Sequence, residues 1–282
     1  MTRYLASRFG GMVVVLMLVA TLVFFITRLA PGDPAAIMLG DQATAADIAK
    51  LRASYGLDKP LPVQFVYWLG ELAHGNLGQS IFLQRPVTQA LLERAEPTSF
   101  LTLFSIFIAA MIGLPCGIIA AVWRGKTIDQ IFSGFAMLGA SIPSFWFGLI
   151  LMQIFAVGLG WFPVAGYGDP GVPLSERLHH LVLPSIVLGV VNSALILRHA
   201  LANALIPVIT VLGLTFALLI GGAIVTETVF GLPGVGNLVV SAVLRRDYPV
   251  IQGALLVIAA LYVLINLATD LLYLVVDPRV KY

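Results

Sequence analysis

Stretches without Asp, Glu, Lys or Arg divide this chain into long apolar runs joined by charged connections. The six runs cover residues 9–27, 97–123, 130–168, 178–197, 199–226 and 248–269. A bilayer core of about 30 Å needs about 20 helical residues, so each run can supply one spanning helix. The third run ends in Trp161–Gly168, whose proline and glycines would be poor in a lipid-facing helix. The pattern predicts an all-α polytopic membrane protein with six transmembrane helices, the first of them uncleaved.

The polar segment between the first two runs has helical periodicity of its own. Thr44-Ala45-Ala46-Asp47 is similar to a capping box with Asp in the Glu position, and apolar residues follow at helical spacing up to Tyr55. Pro62 opens a second candidate helix, Val63 to Ala73. We therefore expect a small helical cap on the outer mouth of the bundle. The expected organisation is an N-terminal segment with the first span, the cap and a five-helix transmembrane core, at residues 1–30, 31–97 and 98–282.

Composition and charge place the protein in the membrane rather than in solution. It is 59% hydrophobic and only 11% charged, against about 25% charged in ordinary globular domains. The net charge of +2 is nearly balanced, and the charges fall in clusters rather than in a basic stripe, which argues against nucleic acid as a partner.

The short connections predict the orientation of the spans. With the N-terminus inside, cytoplasmic segments hold seven basic residues: Arg3, Arg8, Arg124, Lys126, Arg198, Arg279 and Lys281. The short outer connections hold three: Arg177, Arg245 and Arg246. By the positive-inside rule, both termini are expected in the cytoplasm and the cap outside.

The sequence carries no convergent catalytic set. The adjacent pair His179-His180 has no third ligand at metal spacing, so a solvated loop pair is favoured over a metal site. Gly231 to Asn237 is glycine-rich but lacks the Lys-Ser/Thr of a Walker loop, which indicates a turn or a re-entrant segment. We therefore expect no enzymatic activity, no cofactor, no metal and no ATP site in this chain.

Polar residues within the spans are mostly neutral. The ionisable Glu227 and Asp270 lie near predicted helix ends, where a charged group costs little because it can cap the helix or reach the membrane surface. A secondary transporter coupled through a carboxylate would place it at mid-membrane, so their positions argue against that class. Interhelical hydrogen bonding is the ordinary role for such residues. In Ser141-Ile142-Pro143-Ser144 the proline removes a backbone hydrogen bond, so the serines either bond the freed carbonyls or face a wet lumen. The candidate residues for a translocation path are Ser141, Pro143, Ser144, Gln153 and Asn192.

Several ordered strings resemble one family of membrane proteins. The matching strings are Arg28 to Ala35, Tyr55 to Phe65, Gly75 to Ser80, His199 to Val208, Gly221-Gly222-Ala223 with Glu227 to Phe230, Arg246 to Pro249 with Gln252-Gly253, Asn266-Leu267 with Asp270, and Asp277-Pro278-Arg279. Together they resemble the first permease subunit of binding-protein-dependent ABC importers of the dipeptide, oligopeptide and nickel family. The resemblance extends over nearly the whole chain.

The resemblance implies a subunit that works only with partners. These are a second, similar permease, two ATP-binding subunits on the cytoplasmic side, a periplasmic substrate-binding protein and the lipid of a bacterial inner membrane. The implied cargo is a dipeptide or oligopeptide, with a nickel chelate as the second choice. Candidate contacts between the cap and a partner are Tyr67, Trp68, Asp247 and Tyr248, although an interfacial aromatic belt is an equal alternative for the first two.

One part of the family pattern is short in this chain. In the family, the cytoplasmic connection between the fourth and fifth spans carries a helix that docks into the ATPase, and about thirty residues of it are missing here by comparison with that pattern. Gly189 falls near the expected glycine spacing, but it lies within an apolar run, so we treat this as coincidence. What remains of the ATPase-coupling segment is Arg198, His199, Ala200, Leu201, Asn203, Ala204 and Pro207.

Three interpretations follow from these observations. The chain is an importer permease with impaired coupling to its ATPase, or one in which residues 199–204 form a shortened docking turn. The alternatives are an ion-coupled secondary transporter or channel that acts without an ATPase, and a structural membrane protein with no flux.

Overall fold

A computed structural model describes residues 2–29, 33–39, 43–54, 56–169, 171–200, 213, 215–216 and 223–276. Over these residues the secondary structure is helical. The helices are α1 (Thr2–Leu29), α2 (Pro34–Leu39), α3 (Ala45–Ser54), α4 (Leu61–Ala73), α5 (Val87–Val122), α6 (Thr127–Ser141), α7 (Ser144–Leu151) with a π-helical continuation (Met152–Gly158), α8 (Leu174–Ala200), α9 (Ile224–Val229), α10 (Val235–Arg245) and α11 (Tyr248–Val276).

Within the described residues, four helices are long and apolar enough to cross a membrane. The four spans are Arg8–Leu29, Val87–Val122, Leu174–Ala194 and Tyr248–Leu272. The pair Thr127–Gly139 and Ser144–Gly158 makes a fifth if the two are one broken span. The first, second, fourth and sixth apolar runs therefore form helices as expected, while most of the fifth, 199–226, lies outside the described residues.

The third apolar run forms two helices rather than the single helix expected for it. The two helices meet at an angle of 93°, and the break falls at Ile142 (φ −83°, ψ 122°) and Pro143 (φ −61°, ψ 128°). Proline disfavours helical backbone at the residue before it and has no N–H to donate, so the helix ends there. Ser141 Oγ donates to the Met137 carbonyl at 2.8 Å, four residues back in its own helix, and this is not the carbonyl that Pro143 leaves free.

The chain forms two compact units, and the first comprises residues 1–93 and 238–260. Both helices predicted for the segment between the first two apolar runs are present in unit 1. Thr44 and Asp47 bond reciprocally at the start of α3, since each backbone N–H meets the other side chain at 3.3 Å. Phe24 packs against Phe65 and Trp68 of α4 at centroid distances of 5.2 and 5.4 Å. Local capping thus fixes the start of α3, and aromatic packing holds α4 on α1.

Unit 2 comprises residues 94–237 and 261–282. Its core is built from Leu101 of α5, Leu181, Leu183 and Val187 of α8, and Phe230, all nearly or fully buried. Side chains such as Phe107, Met111 and Val122 of α5 lie outside this core, more than half exposed. Apolar side chains facing outward are what a lipid-embedded helix requires.

Glycine allows close packing between α5 and α8 in unit 2. A Cβ on Gly189 would lie 2.5 Å from Ile108 Cγ2, and one on Gly113 would lie 2.8 Å from Ile196 Cβ. Small residues at such crossings let helix backbones approach closely. Gly189 therefore has a packing role within the membrane run.

Candidate functional site

A buried carboxylate in unit 2 closes the N-terminus of α10. Glu227 is fully buried, and its Oε2 accepts the backbone N–H of Asn237 at 2.9 Å. Its carboxylate also accepts the backbone N–H of Gly236. Thr98 Oγ1 of α5 donates to Glu227 Oε1 at 2.6 Å and accepts the N–H of Val235 at 2.9 Å. The first N–H groups of a helix have no partner within the helix and attract negative charge. Glu227 and Thr98 together supply the hydrogen-bond acceptors for these N–H groups.

The glycines around this carboxylate make room for it. A Cβ on Gly234 would lie 2.1 Å from Glu227 Oε1, and one on Gly236 would lie 2.7 Å from the Ile224 Cα. Gly231 has a positive φ of 59°. The glycine-rich string is therefore a turn, as the sequence indicated, and its backbone holds a carboxylate of the same chain where a phosphate loop would hold a ligand.

A second polar cluster in unit 2 joins α5 to the first turn of α8 and to the segment before that helix. Glu96 Oε1 accepts a hydrogen bond from Tyr167 Oη at 2.8 Å and another from Arg177, with which it forms an ion pair. Burial and the adjacent Glu96 carboxylate raise the pKa of Tyr167 to about 12. The phenol is therefore a neutral donor throughout the physiological pH range.

We expect Tyr167→Phe to lower the free energy of unfolding by about 2 kcal/mol, because it removes one hydrogen bond to a charged acceptor. A folded-state pKa above the unfolded value of about 10 gives stability that is complete below pH 10 and is lost as the pH rises towards 12. The difference in Tm between wild type and variant should therefore be constant from pH 7 to 9 and shrink at pH 11.5. Thermal unfolding in detergent, followed by circular dichroism, measures this difference in Tm. The matched control is Tyr262→Phe, an exposed tyrosine of the same unit; a difference that persists at pH 11.5 would contradict the assignment.

In unit 1 the carboxylate of Asp247 holds the loop that precedes α5. Asp247 is 3% exposed, and it accepts hydrogen bonds from Ser80 Oγ at 2.5 Å and from the N–H groups of Ile81 and Phe82 at 3.2 and 3.1 Å. Ser80 Oγ in turn accepts the N–H of Leu83 at 2.8 Å. The side chain of Asp247 is therefore used inside the unit.

The other three candidates for cap contacts, Tyr67, Trp68 and Tyr248, line one cavity in unit 1. Its volume is about 510 Å³. Within its lining, Gln252 Nε2 of α11 donates to Thr27 Oγ1 of α1 at 2.5 Å, and both residues are buried. The structure thus brings three sequence-predicted residues together around one space, although their contact with a partner remains a prediction.

The candidate path residues all belong to unit 2, on different elements. Ser141 and Pro143 are exposed at the break between α6 and α7, and Ser144 begins α7. Gln153 is exposed on the π-helical segment, and Asn192 of α8 is half-buried with its Nδ2 bonded to the Leu188 carbonyl at 2.7 Å. A shared path for these residues remains a prediction.

The candidate coupling segment is described only at its start. Arg198, His199 and Ala200 form the C-terminal turn of α8. Leu201, Asn203, Ala204 and Pro207 lie outside the described residues.

Sequence reasoning missed three of these features: the Glu227 cap, the Asp247 clamp and the Glu96 cluster. In each, the partners are far apart in the chain: Thr98 and Glu227 are 129 positions apart. The one usable signal was the glycine-rich string beside an acidic residue near a helix end.

Apolar spanning helices, together with buried polar groups that bond their own loops, define an integral membrane subunit of the multi-pass type. The chain belongs to the family of binding-protein-dependent transport system inner membrane components, whose profile matches residues 113–199 and 187–282. The N-terminal profile of the same systems matches residues 1–101. The protein is therefore a multi-pass inner-membrane permease subunit of a binding-protein-dependent importer.

Full-length relatives agree with this family. The chain is 39% identical to a probable peptide ABC transporter permease of Sinorhizobium fredii, over 99% of each chain. It is 40% identical to a glutathione transport system permease of Pectobacterium atrosepticum and 38% identical to a putative peptide transport system permease of Brucella abortus, both over 100% of each chain. The alignment with the Pectobacterium protein has 313 positions, 31 more than the 282 residues of this chain.

Proposed function

We propose that this chain is one of two permease subunits that form the path of an ABC importer for di- or oligopeptides. The observation that carries the proposal is full-length similarity to permeases whose names specify peptide or glutathione transport. In the proposed assembly six helices span the inner membrane, both termini are cytoplasmic and the cap faces the periplasm. A second permease, two ATP-binding subunits and a periplasmic binding protein complete the importer.

The contacts of Glu227 support this reading over an ion-coupled transporter. A coupling carboxylate has to bind and release a cation or proton during each cycle. Glu227 is fully buried and bonds Thr98, Asn237 and the N-terminus of α10. Releasing it would leave several buried donors without partners. A subunit whose energy comes from partner ATPases needs no such carboxylate.

We further propose that the connection to the ATPase is shortened in this chain. Two observations support the proposal: the 31 extra alignment positions and the division of the family match into segments that overlap over residues 187–199. The overlap falls at the end of α8, where the sequence pattern placed the loss. The shortened connection would weaken ATPase docking without disturbing the pairing of the two permeases.

Co-purification with partner subunits tests both parts of the proposal. We would express the chain with its second permease, its ATPase subunits and an affinity tag, and compare it with a variant in which the 31 missing residues are restored from an aligned relative. The expected result is at least tenfold less ATPase bound to the native chain, with equal recovery of the second permease. In proteoliposomes with the binding protein present, the restored complex should show ATP-dependent dipeptide uptake.

Two controls separate the possible outcomes. In the first control, Leu201→Asp with Asn203→Asp in the native chain removes any docking by the remaining segment. If the native and restored chains bind equal amounts of ATPase, and this double variant binds less, the short segment is a functional docking turn. That result would refute impaired coupling. Lack of ATP-dependent uptake by a restored complex that retains its ATPases would refute the peptide-importer function.

A further inference from the structure

The cavity in unit 1 lies where two membrane spans end. Its lining includes Thr27 near the end of the span Arg8–Leu29, and Gln252 in the first turns of the span Tyr248–Leu272. The hydrogen bond between Gln252 and Thr27 joins these two ends. The ends of apolar spans mark the boundary between the hydrocarbon core and the lipid headgroups. The cavity is therefore at headgroup level, in the outer leaflet if the predicted orientation holds.

Helix α4, which forms one wall of the cavity, has the character of an interfacial helix. Its Phe65 and Trp68 pack on Phe24, five residues before the end of the first span, or about 8 Å along the helix axis. None of its residues is buried, and Val66 and Tyr67 are more than half exposed. Helices that lie in a membrane interface bury their apolar face about 5–10 Å into the boundary between headgroups and acyl chains. The exposed apolar side chains of α4 thus lie at a depth where lipid can cover them.

The lining of the cavity carries a net positive charge. Its cations are Arg28 and Lys59, and its one carboxylate, Glu71, accepts a bond from Asn76 Nδ2 at 2.6 Å. Neither cation forms an ion pair among the described residues, and Lys59 Nζ lies 4.4 Å from the ring centre of Tyr67 instead. Coulomb attraction needs no direct hydrogen bond, so both charges favour an anion in the cavity although Arg28 Nε itself is buried.

The size and the walls of the cavity suit a phospholipid headgroup. Its volume of about 510 Å³ falls within the range of about 300–1,000 Å³ that is usual for ligand pockets. Tyr67, Trp68 and Tyr248 line it, and such side chains are enriched at membrane interfaces because their rings are apolar at one end and polar at the other. Basic pockets beside spanning helices bind anionic headgroups. A zwitterionic headgroup carries its own cation and gains less from a positive cavity.

We propose that this cavity binds the phosphate group of an anionic phospholipid, with Arg28 and Lys59 as its counter-charges. The acyl chains lie along the outward apolar side chains next to the cavity, among them Ile26 and Leu29 of α1, which are more than half exposed. The bound lipid links α4 to the ends of the two spans. This site rests on the position and charge of the cavity and does not depend on the proposed transport function.

Native mass spectrometry of the full chain, purified in detergent and titrated with phospholipid, tests the proposal. The probes are phosphatidylglycerol and phosphatidylcholine with the same acyl chains, and we expect phosphatidylglycerol to bind at least fivefold more tightly. Lys59→Gln should weaken phosphatidylglycerol by about fivefold and leave phosphatidylcholine unchanged. Lys59 is exposed, and the bond from Gln64 goes to its backbone carbonyl, so the substitution leaves the fold intact. The control Lys50→Gln makes the same change at an exposed residue of α3 that does not line the cavity, and it should leave binding unchanged.

Further variants and a soluble probe separate this site from other sources of binding. Lys59→Arg keeps the charge and should keep the preference for phosphatidylglycerol, whereas Arg28→Gln should reduce it as Lys59→Gln does. Equal binding of the two lipids, or an equal loss in Lys50→Gln and Lys59→Gln, would overturn the proposal in favour of general attraction between the chain and anionic lipid. Glycerol phosphate, titrated by isothermal titration calorimetry, carries the same phosphate without acyl chains. If it binds as tightly as the lipid and is lost in Lys59→Gln, the cavity takes a soluble phosphate and the lipid is refuted.

Discussion

Glu227→Ala is expected to lower the free energy of unfolding by about 3–5 kcal/mol, the largest effect of any single change considered for this protein. The substitution removes the acceptor for Thr98 and for the N–H groups of Gly236 and Asn237 at one time. These donors remain buried and cannot turn to water. Unfolding by sodium dodecyl sulfate, followed by circular dichroism, measures the loss.

Two further variants separate the helix cap from a general effect of removing charge. Glu176→Ala removes an exposed carboxylate from the first turn of α8 and should change stability by less than about 1 kcal/mol. Gly234→Ala should destabilise the wild type strongly, because its Cβ would meet Glu227 Oε1 at 2.1 Å, but much less so the Glu227→Ala variant. Additive effects of Gly234→Ala and Glu227→Ala would show that the carboxylate does not occupy this position.

Asp247→Ala is expected to cost about 2–4 kcal/mol and to release the loop at residues 80–83. The carboxylate accepts three hydrogen bonds from this loop while only 3% exposed. Its removal leaves the N–H groups of Ile81 and Phe82 without their acceptor. Thermal unfolding gives the loss of stability, and amide hydrogen exchange of residues 80–83 should rise in the same variant.

The control for Asp247 is another aspartate of unit 1. Asp58 is exposed and makes no side-chain hydrogen bond or ion pair among the described residues, so Asp58→Ala should stay within about 0.5 kcal/mol of wild type. Unchanged exchange at residues 80–83 in Asp247→Ala would contradict the clamp. Since Asp247 is used within the unit, a loss of partner binding in this variant would arise from the position of the loop and not from a lost direct contact.

The family motif beginning at Arg246 illustrates how the structure changes the meaning of a sequence match. By resemblance, Asp247 and Tyr248 were both candidate contacts with a partner. The structure separates the two neighbours, because Asp247 is buried against Ser80 whereas Tyr248 lines the cavity. Of this pair, only Tyr248 has its side chain at a space that a ligand can enter.

Sequence alone determined the features of this protein that depend on neighbours along the chain. Apolar runs of spanning length predicted the long helices, because the hydrophobic thickness of a bilayer acts on each segment separately. The Thr44–Asp47 box predicted the start of α3, since a cap needs only residues three positions apart. The break at Pro143 was underestimated: the missing hydrogen bond was anticipated, but not the change of direction it permits.

Tertiary structure alone decided which polar residues meet. Glu227 reaches Thr98 across 129 positions, and Asp247 reaches Ser80 across 167, and no local pattern encodes either distance. The cavity beside Arg28 likewise needs five separate segments to converge. Burial makes each unpaired donor or acceptor costly, so the pairing of these groups is determined only when the packed helices bring them together.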